Sequence, residues 1–508
     1  MGRSRTKNFL GNTFASVINQ VVILISGFIV PNLMLHAYGS EVNGLTSSIS
    51  QFITYFSLVE AGLSGASIYA LYKPLVKNDQ KEINSIISAT NAFYIKSGFI
   101  FLAFSIGMAT IYPFVVETTA LSKLEIGFLT LILATAGTID FFTLSKYRAL
   151  LTADQKQYVI SYASSIYTII YTIIIAIFAK EGSNVIVVRA IALISVFMRT
   201  AILQIYCRKK YKFLNFKEEP NKKALNKRWD ALYLQILGTI HTGAPAIIAT
   251  FLTNLKEVSV YSVYNMVVGG IGGIVGIFSS GLAANFGNVI ANDEKETLKK
   301  IYDQFEYAYY ILITVLYSIT VALIIPFIRI YTDGITDANY IRPITAIMMC
   351  LNGILFSMKT PQGTMVVAAG MYKETRVQTT IQGLIAVVGG IIGAYLWGLD
   401  GVLAGAVLSN LYRTIDLVLF APKNIVHTKP TKSIRRVVRN MGLFFLAVIL
   451  SVVLEFNPSN YIEWTILAVI YSLIIFSIVV LVNYILDRQS FKNVLQRMKN
   501  LVGKKHNE

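Results

Sequence analysis

The sequence predicts an all-α integral membrane protein with about fourteen transmembrane helices, and three observations lead there. Hydrophobic residues make up 55% of the 508, and charged residues only 14%; soluble chains carry about 25% charged residues. The apolar residues gather into runs of the length that crosses a hydrocarbon layer, about 20 residues. The lysines and arginines fall between these runs with strong side-to-side asymmetry. Mean hydropathy is +0.59. Disorder, a disulfide scaffold and a DNA-binding domain are excluded, since so little charge cannot cover soluble domains of this length. The net charge of +18 reads as loop charge, and no nucleic-acid partner is expected.

The runs lie at roughly 10–35, 42–72, 83–112, 121–145, 158–179, 185–207, 231–253, 258–290, 303–329, 341–360, 375–396, 400–420, 440–456 and 461–486. The basic start MGRSRTKNFL leads into an apolar stretch too long for a signal-peptide core, so it reads as the first span. With the N-terminus inside and strict alternation, inside segments hold 36 of the 45 Lys and Arg residues and outside segments hold 5. One missed helix would swap every later loop, so the asymmetry supports the count and places both termini in the cytoplasm. The basic segment 208–230 is expected to be a solvated linker against anionic headgroups. Cys207 and Cys350 define no disulfide framework or metal spacing.

That linker separates spans 1–6 (residues 1–207) from spans 7–12 (231–422), with spans 13 and 14 and a basic tail in 423–508. Three matches recur at an offset of 216: Glu41-Val42 with Glu257-Val258, Ala153 with Ala369, and Gly182 with Gly398. Six-span copies in the same orientation are expected to form two lobes with a substrate path between them, a transporter design.

Several segments carry a family resemblance. They are Lys7-Asn8-Phe9 opening span 1, His36-Ala37-Tyr38-Gly39-Ser40-Glu41-Val42-Asn43-Gly44-Leu45, Glu60-Ala61-Gly62-Leu63, and Arg148-Ala149-Leu150-Leu151-Thr152-Ala153-Asp154. With the six-plus-six-plus-two layout, the chain resembles the multidrug/oligosaccharidyl-lipid/polysaccharide exporter superfamily. Within it, the look is that of the Wzx-type flippases of O-antigen, capsule and exopolysaccharide repeat units. The resemblance implies a bacterial cytoplasmic membrane, alternating access and an undecaprenyl-diphosphate-linked glycan as substrate. It also implies membrane lipids and polysaccharide polymerase or glycosyltransferase partners, with the chain a monomer. No cofactor is expected beyond a coupling ion, Na+ or H+.

Ionisable residues inside spans are functional candidates by default. Glu60 and Lys96 each lie about 18 Å above the inner ends of their helices, at 1.5 Å per residue, and neighbouring helices can bring them together. Arg199 sits mid-span, and Arg189 is almost three turns away on a similar face. Arginine's planar fork suits a diphosphate. Arg199, then Lys96 and Arg189, are therefore the expected substrate-binding cations; the alternative is structural pairing with Asp140 or Glu60. Asp140 is expected near Lys146 at an interface. Arg413 and Asp416, three apart, are expected to pair. Glu60, Asp140, Asp416 and His241 are the candidates for ion coupling, His241 because it can respond to protons.

Gly389/Gly393, Gly401/Gly405 and the cluster from Gly269 to Gly276 have the small-residue spacing that permits close helix contact. No phosphate loop, metal cluster or nucleophile–base pair occurs, so neither enzyme activity nor ATP use is expected. A lipid II flippase and a drug/cation antiporter of the same superfamily remain alternatives. A membrane glycosyltransferase or polymerase is disfavoured by the short outer loops.

Overall fold

The computed structural model describes residues 2–60, 63–221, 243–279, 282–371, 373–453 and 456–504. Among the described residues the chain is 87% helical and has no strand. In order, the helices are α1 (Gly2–Phe56), α2 (Leu63–Lys77), α3 (Gln80–Val115), α4 (Lys123–Ile139), α5 (Ser145–Ala153), α6 (Gln157–Lys180) and α7 (Val185–Lys210). There follow α8 (Gly243–Leu252), α9 (Leu255–Ser279), α10 (Leu282–Ala291), α11 (Lys295–Tyr331), α12 (Pro343–Met358), α13 (Thr360–Ala369), α14 (Arg376–Ala421), α15 (Thr431–Val453), α16 (Tyr461–Leu486) and α17 (Arg488–Lys504).

Among the described residues, eleven helical stretches are long and apolar enough to cross a membrane, against about fourteen expected. Two of the eleven each take in a pair of expected spans. The helix α1 loses helical geometry at Gly39 (φ 78°, ψ 177°), and α14 loses it at Trp397 and Gly398. Those are the places where the hydropathy pattern puts short turns. The expected span at 231–253 is described only from residue 243.

The chain divides into two compact units, residues 1–259 and 260–508. In the first, the packing follows membrane logic: small and polar side chains meet between helices, while large aliphatic ones face outward. On α6, Ser161, Ala163, Ser165 and Ala179 are buried, while Ile166, Ile169, Ile173 and Ile177 form an exposed stripe at three- and four-residue spacing. The buried polar face meets α1 in a ladder. Asn12 Oδ1 accepts from the Tyr158 backbone N–H at 2.8 Å, Ser165 donates to Asn19 Oδ1 at 3.2 Å, and Ser26 bonds Thr172 at 2.6 Å. Further along α1, Asn43 donates to Ser259 Oγ at 2.7 Å, across 216 residues. That separation equals the offset of the sequence matches. The matched Gly182 and Gly398 both take positive φ, and the matched Ala153 and Ala369 are the last residues of α5 and α13.

The start of the 208–230 segment departs from expectation. Rather than being a solvated linker, residues 211–219 are fastened to the first unit. Tyr211 is buried and donates to Asp154 at 2.5 Å, Asn84 donates to the Phe213 carbonyl at 2.9 Å, and Ser85 donates to the Glu219 carbonyl at 2.7 Å. Aromatic residues scattered among the lysines supply the buried surface that a charge count misses.

In the second unit, Arg436 on α15 is 1% exposed and engages Glu306 (2.8 Å), Asp303 (2.9 Å) and Asp487 (3.0 Å), with Ser490 at 2.8 Å. Glu306, also 1% exposed, accepts from Tyr302 (2.8 Å) and Gln362 (2.7 Å) as well. This network ties α15 and the α16–α17 junction to α11. Burial pushes the Asp487 carboxyl up, but the Ser490 hydrogen bond and the Arg436 guanidinium together hold it below the usual aspartate range. Its stabilising contribution is thus complete above that range and is lost as pH falls through the lowered value.

The glycine expectations divide. The two halves of α14 fold back on each other with Gly393 against Gly401; a Cβ on Gly401 would stand 1.9 Å from the Gly393 carbonyl oxygen. At Gly269, Gly272 and Gly276, by contrast, a Cβ would meet nothing nearer than 3.9 Å, so close packing does not account for them.

Two outcomes follow for thermal melting of the purified protein in detergent. Arg436→Met leaves Glu306 buried without its cation and should cost about 3–5 kcal/mol. Gly401→Val should prevent a stable fold, while Gly276→Ala should melt close to the parent.

Candidate functional site

The first unit gathers ionisable and aromatic side chains where α4, α6 and α7 meet. Between α4 and α5 the helix widens into one π-helical turn, Asp140–Leu144. Such turns are uncommon and are frequent at functional sites. The Asp140 carboxylate accepts from Arg199 at 2.5 Å, with the two side chains 23% and 16% exposed. The Arg199 guanidinium also lies over the Tyr167 ring, 4.5 Å from its centroid. Tyr167 stacks on Tyr171, with centroids 5.9 Å apart and planes at 30°. Arg189 donates to the Tyr171 hydroxyl, its guanidinium 5.9 Å from that ring. The result is a ladder: Asp140, Arg199, Tyr167, Tyr171, Arg189.

Helix geometry builds it. Tyr167 and Tyr171 are four apart on α6 and so share a face, and Arg189 and Arg199 are almost three turns apart on α7. Planar guanidinium groups stack on aromatic faces, which lets a cation sit in an apolar layer with few hydrogen bonds. Both arginines bury their Nε–H without an acceptor. Buried donors of this kind are rare in folded proteins and call for an explanation.

The remaining sequence candidates fall as follows. Lys96 is exposed on α3, and the structure does not bring it to Glu60. Instead, Arg148 and Asp140 are the charged groups that act on Glu60. Equal depth on two helices does not fix the rotation of either, and Lys96 faces away. Asp140 meets Arg199 rather than Lys146, which donates to Asn91 Oδ1 at 2.9 Å. In the second unit Arg413 donates to Asp416, as the three-residue spacing suggests, and to Thr379 Oγ1 at 2.8 Å. His241 lies outside the described residues. Among those described, no group of His, Cys, Asp and Glu is arranged to hold a metal ion, and both cysteines are buried thiols.

Sequence reasoning missed Tyr167 and Tyr171, although two tyrosines four apart inside an apolar run are a usable signal. The 36 basic residues counted in inside segments also include Arg148, Lys359 and Arg436. Each is instead held at or inside a helix.

Solved structures share this arrangement of helices. A lipid II flippase, MurJ, in an inward closed conformation superposes with a TM-score of 0.70 at 14% identity, over 93% of this chain and 98% of that one. The fold is the one that MurJ has. An inward-facing multidrug resistance MATE family transporter of the MOP superfamily gives a TM-score of 0.59 at 14% identity, covering 81% of this chain and 94% of its own. A MOP superfamily transporter from Pyrococcus furiosus, described as having a binding pocket of reverse polarity, also gives 0.59 at 14% identity, covering 82% and 95%. No family model and no curated protein sequence matches the chain. The MurJ- and MATE-type fold and the eleven apolar helices make this a multi-pass membrane protein.

A double-mutant cycle on Asp140 and Arg199, read by thermal melting, should return a coupling of about 0.5–3 kcal/mol, the range for residues in contact. Additive effects would mean that the pair is not formed in the membrane.

Proposed function

We propose that the chain is a flippase, carrying an undecaprenyl-diphosphate-linked oligosaccharide repeat unit from the inner to the outer leaflet of a bacterial cytoplasmic membrane by alternating access. The observation that carries this reading is the pair of stacked arginines, each with a buried donor still to be satisfied. Cations at hydrocarbon depth are costly and mark a substrate path. An anionic headgroup supplies the acceptors that Arg199 and Arg189 lack, and arginine matches the geometry of phosphate oxygens. A drug/cation antiporter has the opposite requirement, carboxylates in excess, and the Asp140 and Asp416 carboxylates are each engaged by an arginine.

On this reading both termini are cytoplasmic, the chain acts as a monomer beside glycosyltransferases and a polymerase, and it catalyses no reaction. Glu60, Asp140, Asp416 and His241 remain the groups through which a Na+ or H+ gradient would act. The lipid II alternative is favoured by one observation, the TM-score of 0.70 to MurJ over 98% of that structure. It shares the diphosphate-lipid chemistry and differs in the glycan.

Deletion in the native host should leave the lipid-linked repeat on the inner leaflet, and the parent gene should restore export. Arg199→Ala should abolish export with normal membrane insertion; retained export would remove Arg199 from the site. Replacement of a lipid II flippase in a depletion strain would favour the alternative.

A further inference from the structure

In the second unit α17 follows α16 after a break at Asp487 (φ −145°, ψ 58°). Its contacts with α11 fix its direction. α16 and α11 run antiparallel: the Asn483 carbonyl accepts from Tyr307 at 2.9 Å, and seven residues on, Ser490 donates to Asp303, four residues nearer the start of α11, at 3.4 Å. Continued at 1.5 Å per residue, this path would carry Arg497 about 10 Å beyond Ser490, and α11 reaches that far, to Lys295. Instead Arg497 donates to Gln304 Oε1 at 2.8 Å, and Gln304 donates to the Asn493 carbonyl at 3.3 Å. Two residues of α17, a turn apart, thus meet one residue of α11, so α17 runs across α11 rather than along it. Since α11 is long and apolar enough to span a membrane, α17 lies in the membrane plane. Its level is where the charged start of α11 gives way to the uncharged run from Tyr307 to Ile328.

One stripe of α17, Ser490, Asn493 and Arg497, is hydrogen-bonded to the rest of the unit, and Ser490 also accepts from Arg436 at 2.8 Å. Next around the helix come Phe491, Val494 and Leu495. Phe491 packs edge-on to Tyr484 with centroids 5.1 Å apart, and Leu495 is 43% exposed. Beyond them stand Arg488 and Lys492, then Gln489 and Gln496, all exposed. Polar atoms therefore face the protein while the apolar arc faces outward, the inversion seen on α6, which suits lipid. Charge points the same way: residues 488–505 hold six Lys and Arg and no Asp or Glu. An apolar arc rimmed by cations, on a helix in the membrane plane, is the form that sinks into the boundary between headgroups and acyl chains.

We propose that α17 is a membrane-surface helix that binds anionic phospholipid, with Phe491 and Leu495 sunk among the acyl chains and Arg488 and Lys492 on the phosphate oxygens of the headgroups. Each such cation contributes about fivefold to association with an anionic surface. The lipid it engages lies in the leaflet next to the start of α11. Ser490 and Asp303 also belong to the Arg436 network, so this lipid bears on the joint that fastens α15 and α16 to α11. The inference needs a membrane-spanning chain and does not depend on what that chain carries.

The experiment uses the full chain in nanodiscs of phosphatidylcholine, with and without phosphatidylglycerol, carrying a spin label at Leu495→Cys or at Gln489→Cys. Cys207 and Cys350 are buried thiols, so the unsubstituted chain is the labelling blank. Collisions with oxygen, which concentrates among acyl chains, and with a water-soluble nickel chelate report depth. The label at 495 should favour oxygen and the label at 489 the chelate, and phosphatidylglycerol should move the label at 495 deeper. Arg488→Gln with Lys492→Gln should abolish that shift while melting near the parent, and Arg488→Lys with Lys492→Arg should keep it. Three results would overturn the proposal: a label at 495 as open to the chelate as the label at 489; a label at 495 shielded from both reagents, as beneath a second copy or another protein; or a depth that phosphatidylglycerol or the double glutamine variant leaves unchanged. Loss of export in cells with these depths intact would instead bear on the function proposed above.

Discussion

Inside a hydrocarbon layer no water is present to satisfy a polar group, so each must find its partner within the protein. The structure is arranged around that constraint. It sets Asn12, Asn19 and Ser26 against α6, and it gathers Tyr302, Gln362 and Arg436 on the Glu306 carboxylate. Apolar side chains contribute little to helix association here, because lipid receives them equally well. Specificity therefore lies with the minority of polar residues. Their pairings hold α1 on α6 and α15 on α11, and they leave the isoleucines of α6 to face the lipid.

The same constraint explains why a few groups stand out as candidates. Arg189 and Arg199 are partly satisfied by tyrosine faces and one carboxylate, yet each keeps a buried Nε–H with no acceptor. Arg436, by contrast, is engaged by three carboxylates and a serine. On the proposed function, that difference is what marks Arg189 and Arg199 as cations with capacity left for a ligand. It also places the candidate site at the π-helical turn of Asp140, where the regular helix ladder is already interrupted.

Much of this was legible in the sequence where the informative distance was short. Hydropathy located the helices, and the three-residue spacing of Arg413 and Asp416 indicated their pairing. The spacing of Gly389, Gly393, Gly401 and Gly405 indicated close helix contact. Partners distant in sequence were not legible. Arg199 and Asp140 are 59 residues apart, and Arg436 and Glu306 are 130 apart, and a single sequence holds no information on helix rotation. Lys359 and Arg436 were misplaced for a further reason. Charge counting gives a basic residue near a helix end to the loop, whereas a long aliphatic stem lets the charged head reach back among the helices. Gly269, Gly272 and Gly276 show the converse error: suitable spacing was present, but a Cβ there would meet nothing nearer than 3.9 Å.

The hairpin at Gly393 and Gly401 constrains how the protein can move. With backbones in direct contact, neither half of α14 can slide or roll past the other without a clash of main-chain atoms. The pair must travel as one stiff lever, carrying Thr379 and Arg413 together from opposite halves of the same helix. Any rearrangement that keeps this hairpin closed would therefore also keep these two side chains together.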